Sequence, residues 1–259
     1  MKQLIKVFIP KRLKRLYNVY KKKQLERSIV GDAVFCPICQ SSFKFFVPGG
    51  MNYRLHARCY HCNSLERHRL LFLYFDMKLK LFKTRTQLKV LHFAPERFFY
   101  DLFSNLEHID YMPCDLFPEF YNYQGELKVE KVDMTNMPYR DKTFDFIFHN
   151  QVLEHIPNDQ LAMKELYRVM KPGGSGVFQV PIDYTRARTY EDFSITSPEA
   201  RQKAFGQHDH VRWYGRDYKQ RLESVGFKVI EDDFVKQFST DDISKYGLTS
   251  NELIYYCEK

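Results

Sequence analysis

The chain has 259 residues, 44% of them hydrophobic, with 23 Phe and 18 Tyr. That leaves room for one core domain and a small appendage. It lacks both the run of ~18 apolar residues of a membrane-spanning helix and a charged-then-apolar leader, so the expected location is the cytoplasm, where thiols stay reduced. The formal net charge of +8 is uneven: residues 1–30 hold ten Lys and Arg against the single acid Glu26, and the rest of the chain carries −1. The basicity therefore belongs to a tail, which argues against a long phosphate-tracking surface on the main domain.

In that tail, residues 1–30, Pro10 suits a helix start, and Leu13, Leu16, Tyr17 and Tyr20 fall on one face with Lys and Arg over much of the rest. The pattern predicts an interfacial helix in peripheral contact with an anionic membrane. It also suits a phosphate-rich nucleic acid, a solvated arm, or a helix docked on the domain.

Residues 31–64 carry two C-x-x-C pairs, Cys36-Pro-Ile-Cys39 and Cys59-Tyr-His-Cys62, with 19 residues between them. This is the spacing of a zinc ribbon, in which two knuckles offer four thiolates to one tetrahedral Zn2+. The lobe is too small to build much core, so the metal would contribute its folding energy. A pair of disulfides is the competing arrangement, which a reducing compartment disfavours. Four thiolates complete the shell, so the site is expected to be structural, with His56 and His61 as spare donors and Cys114 and Cys257 as ordinary buried thiols. A helix is expected over Ser64 to Phe82, capped by Ser64 and apolar through Leu65, Leu70, Leu71, Leu73, Tyr74, Met77 and Leu81, within a linking segment 65–85 between ribbon and main domain.

The main domain is expected over 86–259. It opens with Leu88-Lys-Val-Leu-His92-Phe-Ala-Pro-Glu96, in which Pro95 rigidifies a turn and Glu96 can open the next helix. His108–Asp115 predicts a second strand ending in an acid, and Val132-Asp133-Met134 follows a third. Phe144–Phe148 is an apolar run with Asp145 inside it, as in a strand buried on both faces. Asn158 caps a helix along which Leu161, Leu166, Val169 and Met170 recur. Lys171-Pro172-Gly173-Gly174 is expected to stop that helix, and Val177–Val180 is the next strand. This is a right-handed βαβ unit of a parallel sheet. An insertion, residues 183–214, precedes a helix over Asp217–Val225, a strand over Phe227–Ile230 and a last strand over Glu252–Cys257. No G-x-G-x-x-G follows the first strand and no GxxxxGK[ST] occurs, which excludes the usual dinucleotide dehydrogenase and P-loop signatures.

The phrase FDFIFHNQVLEHI, then ELYRVMKPGG and a strand, resembles the fourth strand, following helix and fifth strand of class I S-adenosylmethionine-dependent methyltransferases (the type 11-like group), and the resemblance extends over roughly residues 86–257. It implies an α/β, Rossmann-like sheet, mostly parallel with the last strand antiparallel, here with a small N-terminal zinc ribbon. It implies S-adenosylmethionine as cofactor, held by residues at the family's positions: His92, Phe93, Ala94 and Glu96 in the first loop, Asp115 on the ribose hydroxyls, Asp133 and Met134 at the adenine, and Asn150 beside the sulfur. The family's glycines are replaced by Ala94, Glu96 and Phe98, and Glu96 is placed to meet the cofactor's ammonium group. HFAPE with the ribbon and C-N-S-L-E-R-H-R-L-L resembles one subgroup, which points to surface-carbohydrate pathways.

Glu154-His155 follows the fourth strand. Gln151 stands where a further carboxylate would favour magnesium, so no metal is expected there, and His155 is expected as a packing residue before a base. Proton removal from a hydroxyl or amine acceptor calls for a base near neutrality. Gln207-His208-Asp209-His210-Val211-Arg212-Trp213-Tyr214 offers one, with His210 first, His208 second and His155 third. His208 and His210 would share a face in an extended segment. Arg212 would hold an anionic acceptor group, and Trp213 and Tyr214 would stack on a ring. The expected function is methyl transfer to a hydroxyl or amine of a small-molecule or glycan acceptor. The alternatives are an RNA methyltransferase using the ribbon to hold RNA, and a non-catalytic scaffold with a degenerate cofactor loop.

Overall fold

The computed structural model describes residues 11–50, 53–121 and 128–259, with the side chains of 11–16, 18 and 22 left undescribed. The chain forms two compact units, residues 1–78 with 235–251, and residues 79–234 with 252–259. Segment 235–251 was expected inside the main domain and groups instead with the ribbon.

In the first unit, α1 (Lys11–Ser28) ends on the ribbon. Its Glu26 accepts a hydrogen bond from Tyr60 Oη at 2.9 Å, and Ile29 is buried beside Phe43 and Phe46. Tyr17 and Tyr20 are exposed. Pro10 and the side chains of Leu13 and Leu16 lie outside the described residues. Strands β1 (Val34–Cys36) and β2 (Ser41–Phe43) form one antiparallel hairpin, and β3 (Val47–Gly49) and β4 (Arg54–Arg58) a second. The following helix is shorter than the apolar pattern suggests: α2 (Glu66–Leu73) passes into a π-helical turn (Tyr74–Lys78). Leu65, not Ser64, precedes it, because the Ser64 hydroxyl is taken up by the cysteines, 3.2 Å from Cys62 Sγ and 3.4 Å from Cys36 Sγ.

The second unit is built on a seven-stranded sheet. Its elements run β5 (Leu88–Phe93), α3 (Arg97–Ser104), β6 (Ile109–Asp115), β7 (Glu130–Lys131), β8 (Phe144–Asn150), α4 (Asp159–Val169) and β9 (Met170–Gln179). There follow β10 (Tyr190–Glu191), α5 (Pro198–Phe205), β11 (Arg212–Trp213), α6 (Tyr218–Glu223) and β12 (Lys228–Asp232), then α7 (Thr240–Tyr246) in the first unit, and β13 (Ile254–Glu258) back in the sheet. The strand order is β12-β13-β9-β8-β5-β6-β7. All neighbours from β9 to β7 are parallel, and β13 is antiparallel to both β9 and β12. The chain reverses its direction of travel across the sheet between β5 and β8, which opens a crevice at the carboxyl ends of those strands.

Local chemistry explains the departures from the sequence pattern. The acid inside β8 is paired: Asp145 accepts from Lys89 N at 2.8 Å and from Lys171 Nζ at 2.7 and 2.8 Å. Asn158 does cap α4, accepting from Leu161 N at 3.1 Å. Leu161 itself is exposed, and the buried face is Ala162, Met163, Leu166 and Val169. Lys171–Gly174 does not stop the helix. It forms a bulge within β9, so that Phe144 pairs with Met170 and Phe146 with Ser175. Gly173 takes φ +77° there, where a β-carbon is strained.

The insertion is latched to the sheet by buried charge. Arg212, expected to bind an anionic acceptor, is instead fully buried. It donates to the carbonyls of Leu153 (2.8 Å), Ile156 and Pro157 (2.8 Å), and from Nε to Glu191 at 2.9 Å. Tyr214, expected to stack on an acceptor, is also fully buried, and its hydroxyl donates to Asp159 at 2.7 Å. Arg221 holds the same Asp159 carboxylate at 2.7 Å.

Removing one partner of such a buried set leaves carbonyls and a carboxylate uncompensated. Arg212→Leu is expected to cost about 3–5 kcal/mol in urea unfolding, with Arg212→Lys recovering only part. A change below about 1 kcal/mol in the leucine variant would contradict the latch.

A pH effect is expected from His149 in β8. Its ring stacks on Phe178, with centroids 5.2 Å apart, and burial, with His92 nearby, pushes its pKa down to about 3. Below pH ~6.5 the unfolded chain binds a proton that the folded chain refuses, so this contribution to stability is present above ~6.5 and is lost as pH falls towards 3. At pH 5 the loss is roughly 2 kcal/mol. His149→Phe should therefore show a smaller drop in unfolding free energy between pH 7.5 and 5 than the native chain, and parallel drops would refute the assignment.

Candidate functional site

A cavity of about 510 Å³ lies at the reversal point, within the range of small-molecule sites. Phe93 and Ala94 line it from the end of β5, and Asp115 from the end of β6. Val132, Asp133 and Met134 enter after β7, and Gln151, Val152, His155 and Ile156 after β8. Asp209 reaches it from the insertion. Ala94 (φ +54°) and Gln151 (φ +59°) both take left-handed backbone where the two central strands end. Ala94 thus adopts the turn for which a glycine is ordinarily used, with its N–H donating to Cys114 O at 3.0 Å.

The acids are held by their own loops. Asp115 accepts from Phe117 N at 2.8 Å and from Tyr121 Oη at 3.1 Å, and Asp133 accepts from Thr135 N at 2.8 Å and Thr135 Oγ1 at 2.7 Å. Val132 and Met134 form a buried apolar floor, and Phe117 and Phe120 stand exposed at the rim. Two carboxylates facing an apolar slot fit a ligand that carries hydroxyls, a flat apolar ring and a positive charge. S-adenosylmethionine has all three.

Three residues expected against the cofactor lie beneath the cavity instead. His92 is fully buried, stacked on Phe148 at 3.7 Å, with Nδ1 2.8 Å from Tyr111 Oη and Nε2 3.3 Å from Glu96 Oε2. Asn150 donates to Glu96 Oε1 at 2.8 Å. Glu96 therefore ties the start of α3 to the end of β8, and neither it nor His92 nor Asn150 is among the residues that form the cavity wall.

The histidines also sort differently from expectation. His208 is exposed, and His210 is buried, so the two do not share a face. His210 Nδ1 lies 3.2 Å from Phe205 O, and burial, with His155 beside it, pushes its pKa down to about 4. His155 alone of the three lines the cavity, with Nδ1 3.3 Å from Asp209 Oδ2. Asp209 carries no expected role in the sequence, although the fold sets it against His155. The two lie 54 positions apart, which hides the pair.

In the first unit, Cys36 Sγ and Cys62 Sγ are 3.6 Å apart, as are Cys39 Sγ and Cys59 Sγ, and all four sulfurs lie within 4.8 Å of one another. Sulfurs around a tetrahedral zinc at ~2.3 Å sit about 3.8 Å apart, so the group fits the ion. Arg69, fully buried, donates to the carbonyls of Ser64, Ala57, Tyr246 and Gly247 and lies 3.9 Å over the Phe46 ring. It joins the last knuckle to the carboxyl end of α7, which is why segment 235–251 belongs to this unit.

A methyltransferase domain family matches residues 98–178. The chain is 27% identical over 121 residues to sterol 24-C-methyltransferase erg6 of Schizosaccharomyces pombe, covering 45% of this chain and 30% of that protein. It is 31% identical over 115 residues to phosphoethanolamine N-methyltransferase 3 of Arabidopsis thaliana, covering 43% of this chain and 21% of that protein. The chain thus spans less than a third of the length of these two relatives. Among solved structures, an S-adenosylmethionine dependent methyltransferase from Mesorhizobium loti superposes with a TM-score of 0.48 at 14% identity, covering 70% of this chain and 95% of that one. Over residues 98–178, less than a third of the chain, the sequence is thus similar to a methyltransferase domain, and the strand order already described is that of the Rossmann-like sheet on which class I, S-adenosylmethionine-dependent methyltransferases are built.

Proposed function

We propose that the chain transfers a methyl group from S-adenosylmethionine to a hydroxyl or amine of a small-molecule or glycan acceptor. The observation that carries this reading is the cavity at the reversal point, lined both by Asp115 and Asp133 and by His155 with Asp209. The bound cofactor supplies the sulfonium methyl. Asp115 is placed to take the ribose hydroxyls, and Asp133 with Met134 to take the adenine. The aromatic rim of Phe117 and Phe120 suits an acceptor with an apolar face. Since a sulfonium is a good leaving group, the chain's main task is in-line alignment, and the acceptor's proton leaves at His155. The near-neutral charge outside the tail favours such an acceptor over RNA, and a steep salt dependence of binding to rRNA fragments would reverse that preference. The exposed Tyr17 and Tyr20 of basic α1 suit peripheral contact with an anionic membrane, and equal recovery from anionic liposomes with and without residues 1–30 would exclude it.

Calorimetry with S-adenosylmethionine tests the core of the proposal. Asp133→Ala and Asp115→Asn are each expected to weaken binding about 10–100-fold, the loss of hydrogen bonds to a charged group. No heat from the native chain at high cofactor concentration would leave only a scaffold.

The ribbon is proposed to hold one structural Zn2+ through Cys36, Cys39, Cys59 and Cys62. Cys39→Ser is expected to lose that equivalent and to lower the melting temperature. A full zinc complement in the variant would refute the ligand set.

A further inference from the structure

Glu154, His155 and His210 come together from two distant parts of the chain. Glu154 and His155 sit on the 3₁₀ turn after β8 (Leu153–His155), and His210 sits in the insertion. One carboxylate oxygen and one ring nitrogen of each histidine lie within 4.8 Å of one another. The two imidazoles meet edge to face, with centroids 4.7 Å apart. His210 Nε2 is 4.0 Å from Glu154 Oε1, too far for a hydrogen bond and somewhat wider than the ~3.4 Å that two bonds of about 2.1 Å span at a tetrahedral ion, so the group would draw in slightly around one.

The surroundings set both rings for coordination. Phe205 O faces His210 Nδ1, and the Asp209 carboxylate faces His155 Nδ1. A carbonyl only accepts, so His210 Nδ1 carries the hydrogen and its Nε2 keeps the lone pair, and the Asp209 carboxylate 3.3 Å from His155 Nδ1 favours the same tautomer there. A ligating histidine commonly has its other nitrogen fixed in this way, by a backbone carbonyl or a carboxylate. Arg212 holds the carbonyls of Leu153, Ile156 and Pro157, so the turn carrying two of the ligands is clamped at both ends.

We infer that Glu154, His155 and His210 form a second metal site, for a divalent first-row transition ion of which zinc is the probe, open on the side that faces the cavity. Two imidazoles and one carboxylate suit zinc or iron(II) and not magnesium, which prefers oxygen donors and keeps its waters. Three protein ligands leave a position free, the arrangement of zinc sites that act on a bound oxygen rather than hold a fold. Of the three, His155 also lines the proposed cofactor cavity, so an acceptor hydroxyl would approach that position from the His155 side. Only this last role, not the binding of the ion, rests on the methyl-transfer reading.

The test counts metal in the full-length protein. Protein equilibrated with micromolar free zinc and then desalted is expected to hold one equivalent more than His155→Gln and one more than Glu154→Gln. The amide in each variant keeps the side chain polar and near its native size, and circular dichroism checks the fold. With Co2+, the native chain should show a visible band from nitrogen and oxygen donors beside the intense near-ultraviolet thiolate band, and His155→Gln should lose only the former. Equal metal content in the native chain and His155→Gln, or a cobalt spectrum of thiolate type alone, overturns the site. Cofactor binding is measured on the same samples. Its absence would defeat the methyl-transfer reading while leaving the metal count unchanged.

Discussion

The hydrogen bond from Asn150 to Glu96 joins the ends of the two strands between which the sheet reverses. In sheets of this order the ligand crevice exists because neighbouring connections leave in opposite directions, so something must hold the parted loops in register. Glycines ordinarily let the first loop turn tightly. Here Ala94 makes that turn in left-handed backbone, which costs a residue with a β-carbon roughly 1–2 kcal/mol. The Glu96 carboxylate, set between Asn150 and His92 with Tyr111 behind, offsets that cost by fixing where α3 begins. Glu96 thus acts on the cavity through backbone position. An acid at that place in the sequence looks like a ligand for an ammonium group, and only the fold shows that two neighbours already engage it.

The same distinction separates what was legible in the sequence from what was not. Periodicity and end signals located the sheet, because a strand buried on both faces and a helix with an Asn cap carry their information locally. The position of Asp115 and Asp133 at strand ends, and so at the cavity wall, was legible for a similar reason, while their roles towards a cofactor came with the family resemblance. Lys171–Gly174 misled because Gly and Pro mark both a helix end and a bulge. Only the pairing of Phe146 with Ser175 distinguishes them. The histidine segment failed more deeply. Alternation predicts a shared face for His208 and His210 only if the backbone is extended, and the extended part, β11, begins at Arg212.

Arg212 shows how a polar residue in an insertion is misjudged from sequence. An arginine beside aromatics suggests a ligand clamp, because guanidinium groups bind carboxylates and phosphates in pairs. The carbonyls after β8 end a short 3₁₀ turn, beyond which no regular helical turn supplies N–H donors to them. Buried in that place they need donors, and one planar guanidinium supplies several at fixed angles. Arg69 does the same for the carbonyls at the end of α7 in the ribbon unit, close to four cysteines whose combined charge with zinc would be negative. In both units a buried arginine satisfies chain ends that regular structure leaves open.

In the second unit this device also fixes where the insertion meets the cavity. The sheet supplies the cavity floor and the acids; the insertion supplies Asp209 and His210. Those two residues are useful only if the segment returns to the same place, and the five residues from Asp209 to Trp213 include only a short strand to ensure it. Arg212 lies two and three residues beyond them and is bonded to the turn that carries Glu154 and His155. Register along the insertion is therefore fixed at the point nearest the chemistry, by side-chain bonds to backbone rather than by a long ladder. Glu191 belongs to the same fixing point, since β10 pairs with β11 and its carboxylate takes the Arg212 Nε, so both arms of the insertion are tied where they approach His155.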